Sequence, residues 1–401
     1  MGERAARLRP LRHALLVAVA GVALLAGCAV GPAEDEAALR AQAGTDGDQV
    51  GVDDEAGGST GGGGESGASG EEDLPEERDP ETALPTPDAE GSADAPETVA
   101  EGLDDACCVT NVPGTEDVLV GSRSGEITRV TPGDEPTPVG QVPVLSDEGQ
   151  GELLDLALDP AYEDGGSGWI VVSYNEFGRN QVARFGYTRD QPLDAPSILA
   201  RELPLADRDS GGALAFGSDG MLYVATGGVE QADDSVDPTT LAGKILRLDP
   251  DRTDTGEAST PDSRIYSVGY PRVRALAADP DRDGLWAVGV TDEGAAEITL
   301  VPPTGPEGDG ANADPLGWEA DDVAPVDLAY VAGSLWVPAA EGPTLWRLPL
   351  DGVDLVEGTT TRGLALRPEA FTAPTAVLAG QDGTALLVLA EDGTLTRYRV
   401  E

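Results

Sequence analysis

One phrase returns around this chain, and it limits the possible fold more than any other feature. Its clearest copy is DSGGALAFGSDGMLYVATGG, from Asp209 to Gly228, where apolar runs at 213–216 and 221–225 flank Gly217-Ser218-Asp219-Gly220. Apolar run, glycine-bearing turn, apolar run reads as a β-hairpin. A polar turn and a third strand, usually carrying arginine, then follow. The copies are CCVTNVPGTEDVLVGSRSGEITRV at 107–130; LLDLALDP from Leu153, continuing through 169–174 and 182–187; 212–225, with its third strand delayed to LAGKILRLDP at 241–250; RALAADPDRDGLWAVGVTDEGAAEITLV at 274–301; VDLAYVAGSLWVPAAEGPTLWRLPL at 326–350; and TAVLAGQDGTALLVLAEDGTLTRYRV at 375–400. Six copies at about 49 residues each match four-stranded propeller blades with their loops. A β-sandwich holds as many strands, but the phrase-level repetition favours radial closure, which also hides strand edges. The expected fold is all-β: a six-bladed β-propeller over 106–401, preceded by a disordered acidic linker.

The residues ahead of the repeats read differently. Arg4, Arg7, Arg9 and Arg12 precede an apolar run at 14–26, too short for a comfortable membrane span, which ends Leu25-Ala26-Gly27-Cys28. This looks like a bacterial lipoprotein signal over 1–28, with Cys28 the lipidated residue. An ordinary signal peptide or membrane anchor is the other reading. Residues 29–105 are rich in Gly, Ala, Pro, Asp and Glu, with Arg40 and Arg78 the only basic residues. Such a segment cannot bury enough apolar surface to offset its ordering entropy. It is expected to be a disordered tether spanning roughly 50 Å. The expected location is therefore extracytoplasmic, lipid-anchored to a membrane.

Charge excludes some functions. The net charge is −49, which repels phosphate backbones and argues against nucleic-acid partners. Lys244 is the only lysine, a composition shared by salt-adapted surfaces and by high-GC genomes. The only histidine is His13, inside the cleaved signal. A mature chain without histidine cannot run a Ser-His-Asp or Cys-His mechanism, nor build a histidine metal site. Cys107 and Cys108 are then the remaining cysteines, able to close a vicinal ring or to stay as thiols.

Propeller sites lie at one end of the central channel, so the candidates precede the inner strands or follow the second strands. They are Asp147-Glu148-Gly149-Gln150, Arg208-Asp209-Ser210-Gly211-Gly212, YSVGYPRVR at 266–274, and 339–342. Separately, Asp279, Asp281 and Asp283 have the acidic spacing of a calcium loop. The acid that would complete an EF-hand falls at Val290, so calcium competes here with a plain strand-to-strand turn.

The phrases GELLDLALDPAY, SGGALAFGSDGMLYVATGG, LAGKILRLDP, IYSVGYPRVRALAADP and LWRLPLDG resemble the glucose/sorbosone dehydrogenase family from Leu103 onward. The resemblance implies a six-bladed propeller that binds pyrroloquinoline quinone (PQQ) and calcium at the channel mouth and oxidises sugars. Matched residue by residue, much of the family's site is missing. Asp209 stands where the family has its catalytic histidine, and Ala213 where it has an arginine. Gly269-Tyr270-Pro271-Arg272-Val273 replaces Gly-His-Arg-Asn-Pro. Glu341 replaces a lysine, and two expected arginines fall near Ala373 and Thr375. Gly289-Val290-Thr291-Asp292 replaces the calcium stretch. Gln150 occupies the position of a polar residue beside the catalytic histidine. PQQ carries three carboxylates, so a site stripped of Lys and Arg binds it poorly.

These observations lead to a family member that has lost catalysis and binds a sugar, glycan or envelope protein. The alternative is an active PQQ-dependent aldose dehydrogenase with Asp209 as base and Arg208, Arg272 and Arg274 as the nearest cations. The pocket candidates are Gln150, Arg208, Asp209, Tyr270, Arg272, Arg274 and Glu341.

Overall fold

The computed structural model describes residues 86–88, 93–144, 151–205, 211–229, 232–253, 263–291, 295–308, 315–316, 318, 323–340, 344–359, 364–366 and 372–400. The signal region with Cys28 lies outside these residues, as do Gln150, Arg208, Asp209 and Glu341.

Strand β1 (Ala93–Ala100) comes first. Blade 1 is β2 (Ala106–Asn111), β3 (Val118–Ser122), β4 (Glu126–Val130) and β5 (Thr137–Gln141). Blade 2 is β6 (Leu153–Leu158), β7 (Gly168–Glu176), β8 (Arg179–Tyr187) and β9 (Ser197–Leu203). Blade 3 is β10 (Gly211–Phe216), β11 (Leu222–Thr226), β12 (Lys244–Leu248) and β13 (Ile265–Val268). Blade 4 is β14 (Val273–Asp279), β15 (Gly284–Val290) and β16 (Ala296–Leu300). Blade 5 is β17 (Ala329–Val331), β18 (Ser334–Ala339) and β19 (Thr344–Asp351), with β20 (Asp354–Leu355) and β21 (Leu364–Leu366) both pairing with β19. Blade 6 is β22 (Pro374–Ala379), β23 (Ala385–Ala390) and β24 (Leu395–Val400), with β1 as its outermost strand. All pairings are antiparallel, and the six expected copies each become one blade.

Side-chain alternation explains why these strands run almost wholly apolar. In β11, Leu222 and Val224 enter the core shared with blade 2, while Tyr223 and Ala225 enter the core shared with blade 4. In β23, Leu386, Val388 and Ala390 face blade 5, while Leu387 and Leu389 face blade 1. Both faces of each blade are covered, so period-two alternation divides one apolar strand between two cores. A separate apolar cluster fills every junction between neighbouring blades around the ring.

One boundary differs from the sequence reading. Residues 93–100 belong to the expected tether but form β1, paired with β24 from Ala93↔Val400 to Ala100↔Leu395. The N-terminal strand thus joins the C-terminal blade and closes the ring. The sequence ADAPETVA carries little apolar signal because its other side has no further strand to meet; what holds it is the open edge of β24. Further upstream, Arg347 donates to the Asp88 carbonyl at 2.9 Å and Thr86 donates to Asp351 at 3.2 Å, so 86–88 rest on blade 5.

Candidate functional site

Inner strands β2, β6, β10, β14 and β22 share a deviation at the same end. Their registers shift between Ala106 and Cys108, Leu153 and Asp155, Gly211 and Leu214, Val273 and Ala275, and Pro374 and Ala376. Each shift is a β-bulge, where an extra residue leaves the ladder and its side chain is re-aimed. The extra residues Cys107, Leu154, Arg274 and Thr375 all line one open cavity of about 720 Å³, with Gly211 and Val326 supplying the remaining blades. This ring is the channel mouth. Connections add Asp105, Arg123, Glu152 and Glu391. Arg123 meets Glu152 at 3.4 Å, with both side chains partly exposed.

Beneath the mouth the channel continues as a cavity of about 380 Å³, lined by Cys108, Asp155, Ala213, Ala275 and Asp327 among others. Asp155 and Asp327 come from blades three apart in a ring of six, so they face each other across the axis. Each staples two blades. Asp155 accepts the Leu156 amide and, from blade 3, the Leu214 amide, both at 2.7 Å. Asp327 accepts the Leu328 amide at 2.8 Å and, from blade 6, the Val377 amide at 2.7 Å. Protein surrounds both carboxylates, although the channel lumen touches them. Burial, and then the facing charge of Asp327, push Asp155 up to about 8 against the pull of its two amide donors. Burial pushes Asp327 up to about 7.

The sequence signature of glucose / sorbosone dehydrogenases matches residues 103–308, about half of the chain and covering blades 1 to 4. The chain belongs to the glucose/sorbosone dehydrogenase family. It is 28% identical over 223 residues to the aldose sugar dehydrogenase YliI of Escherichia coli K12, a match spanning 51% of this chain and 58% of that protein's length. The PQQ-bound aldose sugar dehydrogenase of Streptomyces coelicolor is 31% identical with a TM-score of 0.67, covering 79% of this chain and 100% of that one. A putative oxidoreductase (glucose dehydrogenase) of Thermus thermophilus is 27% identical with a TM-score of 0.61, covering 77% and 100%.

For a member of this family, the described mouth is poorly suited to PQQ. Arg123 and Arg274 are its guanidiniums, Arg123 is already bonded to Glu152, and Asp105, Glu152 and Glu391 stand around them. Among the described lining residues a tricarboxylate meets three acids and two arginines. Nor are Asp105, Glu152 and Glu391 grouped to hold a metal ion among the described residues.

The sequence candidates divide. Arg274 reaches the mouth because it is the bulge residue of β14. Arg272, two residues earlier, instead donates to the Thr291 carbonyl at 3.2 Å beside a small pocket between Gly269 and Thr299. Tyr270 is buried in the core between blades 3 and 4, its phenol pushed up to about 12 by burial and 3.4 Å from Ser267. It is a packing residue outside the described mouth lining, and it borders the same small pocket as Arg272.

The calcium reading of Asp279, Asp281 and Asp283 also needs correction. The Asp279 carboxylate takes Arg282 at 2.9 Å, the Trp286 indole at 3.1 Å and the Asp281 amide at 3.1 Å. Asp281 accepts the Tyr330 hydroxyl at 2.7 Å, and Asp283 has a left-handed φ of 52°. These oxygens lock a turn of blade 4 onto blade 5. Among the described residues no group of three or more His, Cys, Asp or Glu side chains is placed to hold a metal ion.

Asp155 and Asp327 escaped the sequence reading. The available signal was the tripeptide Asp-Leu-Ala at the same blade position in copies two and five, an acid set in an otherwise apolar inner strand.

Proposed function

We propose that this family member is an extracytoplasmic, lipid-anchored binding protein that has lost quinone-dependent catalysis and takes a neutral polyhydroxylated ligand, a sugar or glycan, at the channel mouth. The observation that carries this reading is the mouth's charge: Arg123 is paired with Glu152, and acids outnumber arginines among the described lining residues. Sugar hydroxyls donate to carboxylates such as Glu152 and Glu391 and accept from Arg274, so such a mouth suits an uncharged polyol and disfavours a polyanion. The lack of histidine outside the N-terminal signal supports the same reading, because the family's proton acceptor is then missing. The Cys28 signal and the acidic segment behind it support anchoring and reach.

A second reading, an active PQQ-dependent aldose dehydrogenase, is favoured by the full-length likeness to the Streptomyces enzyme and by Arg274 at the mouth. Asp209 would be its base. The test is to titrate the full chain with PQQ plus calcium, and separately with a panel of aldoses and oligosaccharides, following the melting midpoint and dye reduction. A ligand at 100 times its dissociation constant stabilises the fold by about 2.7 kcal/mol. The binding reading expects a shift with a sugar and none with PQQ. A PQQ shift accompanied by sugar-dependent dye reduction would replace it with the dehydrogenase.

A further inference from the structure

Cys107 and Cys108 are adjacent in a strand, where alternation would send their side chains to opposite faces. The bulge between Ala106 and Cys108 cancels that alternation. Their sulfurs lie 3.0 Å apart, and both approach the Gly121 carbonyl. Gly121 is the second feature that makes this possible: a Cβ there would come within 2.8 Å of the Cys108 sulfur and within 2.6 Å of Leu153. The two thiols also differ in access. Cys107 is half-buried and lines both the mouth and the channel, whereas Cys108 is buried and borders only the channel. Burial, followed by the bond to Cys107 and by the charges of Cys107, Asp155 and Asp327, raises the Cys108 thiol well above its ordinary value.

We propose that Cys107 and Cys108 form a reversible dithiol–disulfide site in the channel wall, oxidised by small disulfides that enter through the mouth. The Cys107 thiolate attacks one sulfur of the oxidant, and the oxidant's other half leaves as a thiolate. The Cys108 thiol then gives up its proton to that leaving thiolate or to water and attacks the Cys107 sulfur, expelling the second half. Two protein thiols are oxidised by two electrons, and one small disulfide is reduced to two thiols. Bond formation brings the sulfurs from 3.0 Å to about 2 Å, a motion the bulge can absorb. A ring between neighbouring residues is strained, and strained disulfides are the readily reduced ones, so the site returns to dithiol with modest reductant. Because Cys107 is blade 1's member of the mouth ring, closing the bond moves one wall of the ligand site.

The experiment treats the folded full-length chain with oxidised glutathione, alkylates it, and reads tryptic peptide 79–123, which contains both cysteines. The expected product is the unalkylated peptide lighter by two hydrogens, reverting to two alkylated thiols after dithiothreitol. The Cys108→Ser variant should instead stop at a glutathione adduct on Cys107, because the resolving thiol is gone. A Cys28→Ser chain should behave like the parent. The proposal is overturned if both thiols still alkylate after oxidant, if the parent chain accumulates the glutathione adduct, or if Cys107 or Cys108 joins Cys28. This readout follows sulfur alone, so it stands or falls separately from ligand binding at the mouth.

Discussion

Each inner strand has two ends, and the protein treats acidic residues differently at each. Away from the mouth, aspartates are consumed by turns. Asp159, Asp219, Asp279 and Asp382 each accept the amide two residues later, from Ala161, Met221, Asp281 and Thr384 respectively. This is the Asx turn, in which a short side chain replaces a backbone bond. At the mouth the inner strands begin with bulges; Asx turns occur there too, at Asp237 and Asp392, but Glu152 and Glu391 stand around an open cavity. Identical chemistry makes scaffold at one end and, at the other, lines the open cavity proposed above to take a ligand. The difference lies in burial: Asp279 is enclosed with Arg282, whereas Glu152 holds Arg123 with both side chains partly in solvent.

If the turn end is scaffold, its most buried member should cost most to remove. Replacing Asp279 with alanine strands the Trp286 indole and the Asp281 amide and takes from Arg282 its carboxylate, leaving it the Tyr330 hydroxyl. Removing one partner of a buried pair costs about 3–5 kcal/mol. Asp382→Ala, at an equivalent but exposed turn, should cost about 1 kcal/mol. Urea denaturation of both variants checks the ranking. Equal losses would mean that the turns are interchangeable and that the burial of Asp279 adds nothing. Addition of calcium should leave the parent midpoint where it is, since the Asp279 and Asp281 oxygens are already committed.

The channel between the two ends offers a test by pH. Asp155 and Asp327 titrate near 8 and 7 in the fold, against an ordinary 3.8 in the unfolded chain. The folded state therefore holds protons that the unfolded chain has lost. The resulting stability is fully present below pH 3.8 and is lost as pH rises through about 7 and 8. The melting midpoint should fall over that window, and Asp155→Asn should flatten much of the fall. The asparagine also forfeits one of the two amide bonds, so the informative quantity is the slope and not the midpoint at a single pH. A midpoint that rises over the same window would show that the amide donors outweigh burial and hold the pair ionised.

How legible these regions were in the sequence follows the same division. Turns announce themselves through Asp, Gly and Pro at fixed offsets, so the blades and their count could be read directly. Bulges have no such mark. Nothing in PRVRALAAD says that Arg274 leaves the ladder while Arg272 turns to the Thr291 carbonyl, because a shift of one residue reverses which face a side chain takes. The aromatic Tyr270 packs as a wedge between blades while bordering a small pocket beside Arg272, a place no local pattern specifies. Strand β1 was hidden for a related reason: its partner, β24, lies at the other end of the chain, beyond any local pattern. Asp155 and Asp327 could have been found by aligning the copies against each other, since only two of the six carry an acid at that position.

The smallest expected effect sharpens the comparison from the mouth side. Arg123 and Glu152 sit 3.4 Å apart with half of Arg123's side chain and two fifths of Glu152's exposed. A pair this wet contributes roughly 0–1 kcal/mol to stability. Arg123→Ala should therefore leave the urea midpoint nearly unchanged, in contrast to Asp279→Ala. Its effect should appear in ligand charge. Without Arg123, Glu152 is unpaired and the mouth becomes more negative, so anionic sugars should bind more weakly at low salt while neutral sugars change little. Screening makes that contrast shrink as ionic strength rises past the point where the Debye length is about 10 Å. Calorimetric titration of a neutral aldose and its uronic acid against both proteins, at two salt concentrations, measures it. A large loss of stability in Arg123→Ala would place this pair with the scaffold and erase the distinction between the two ends.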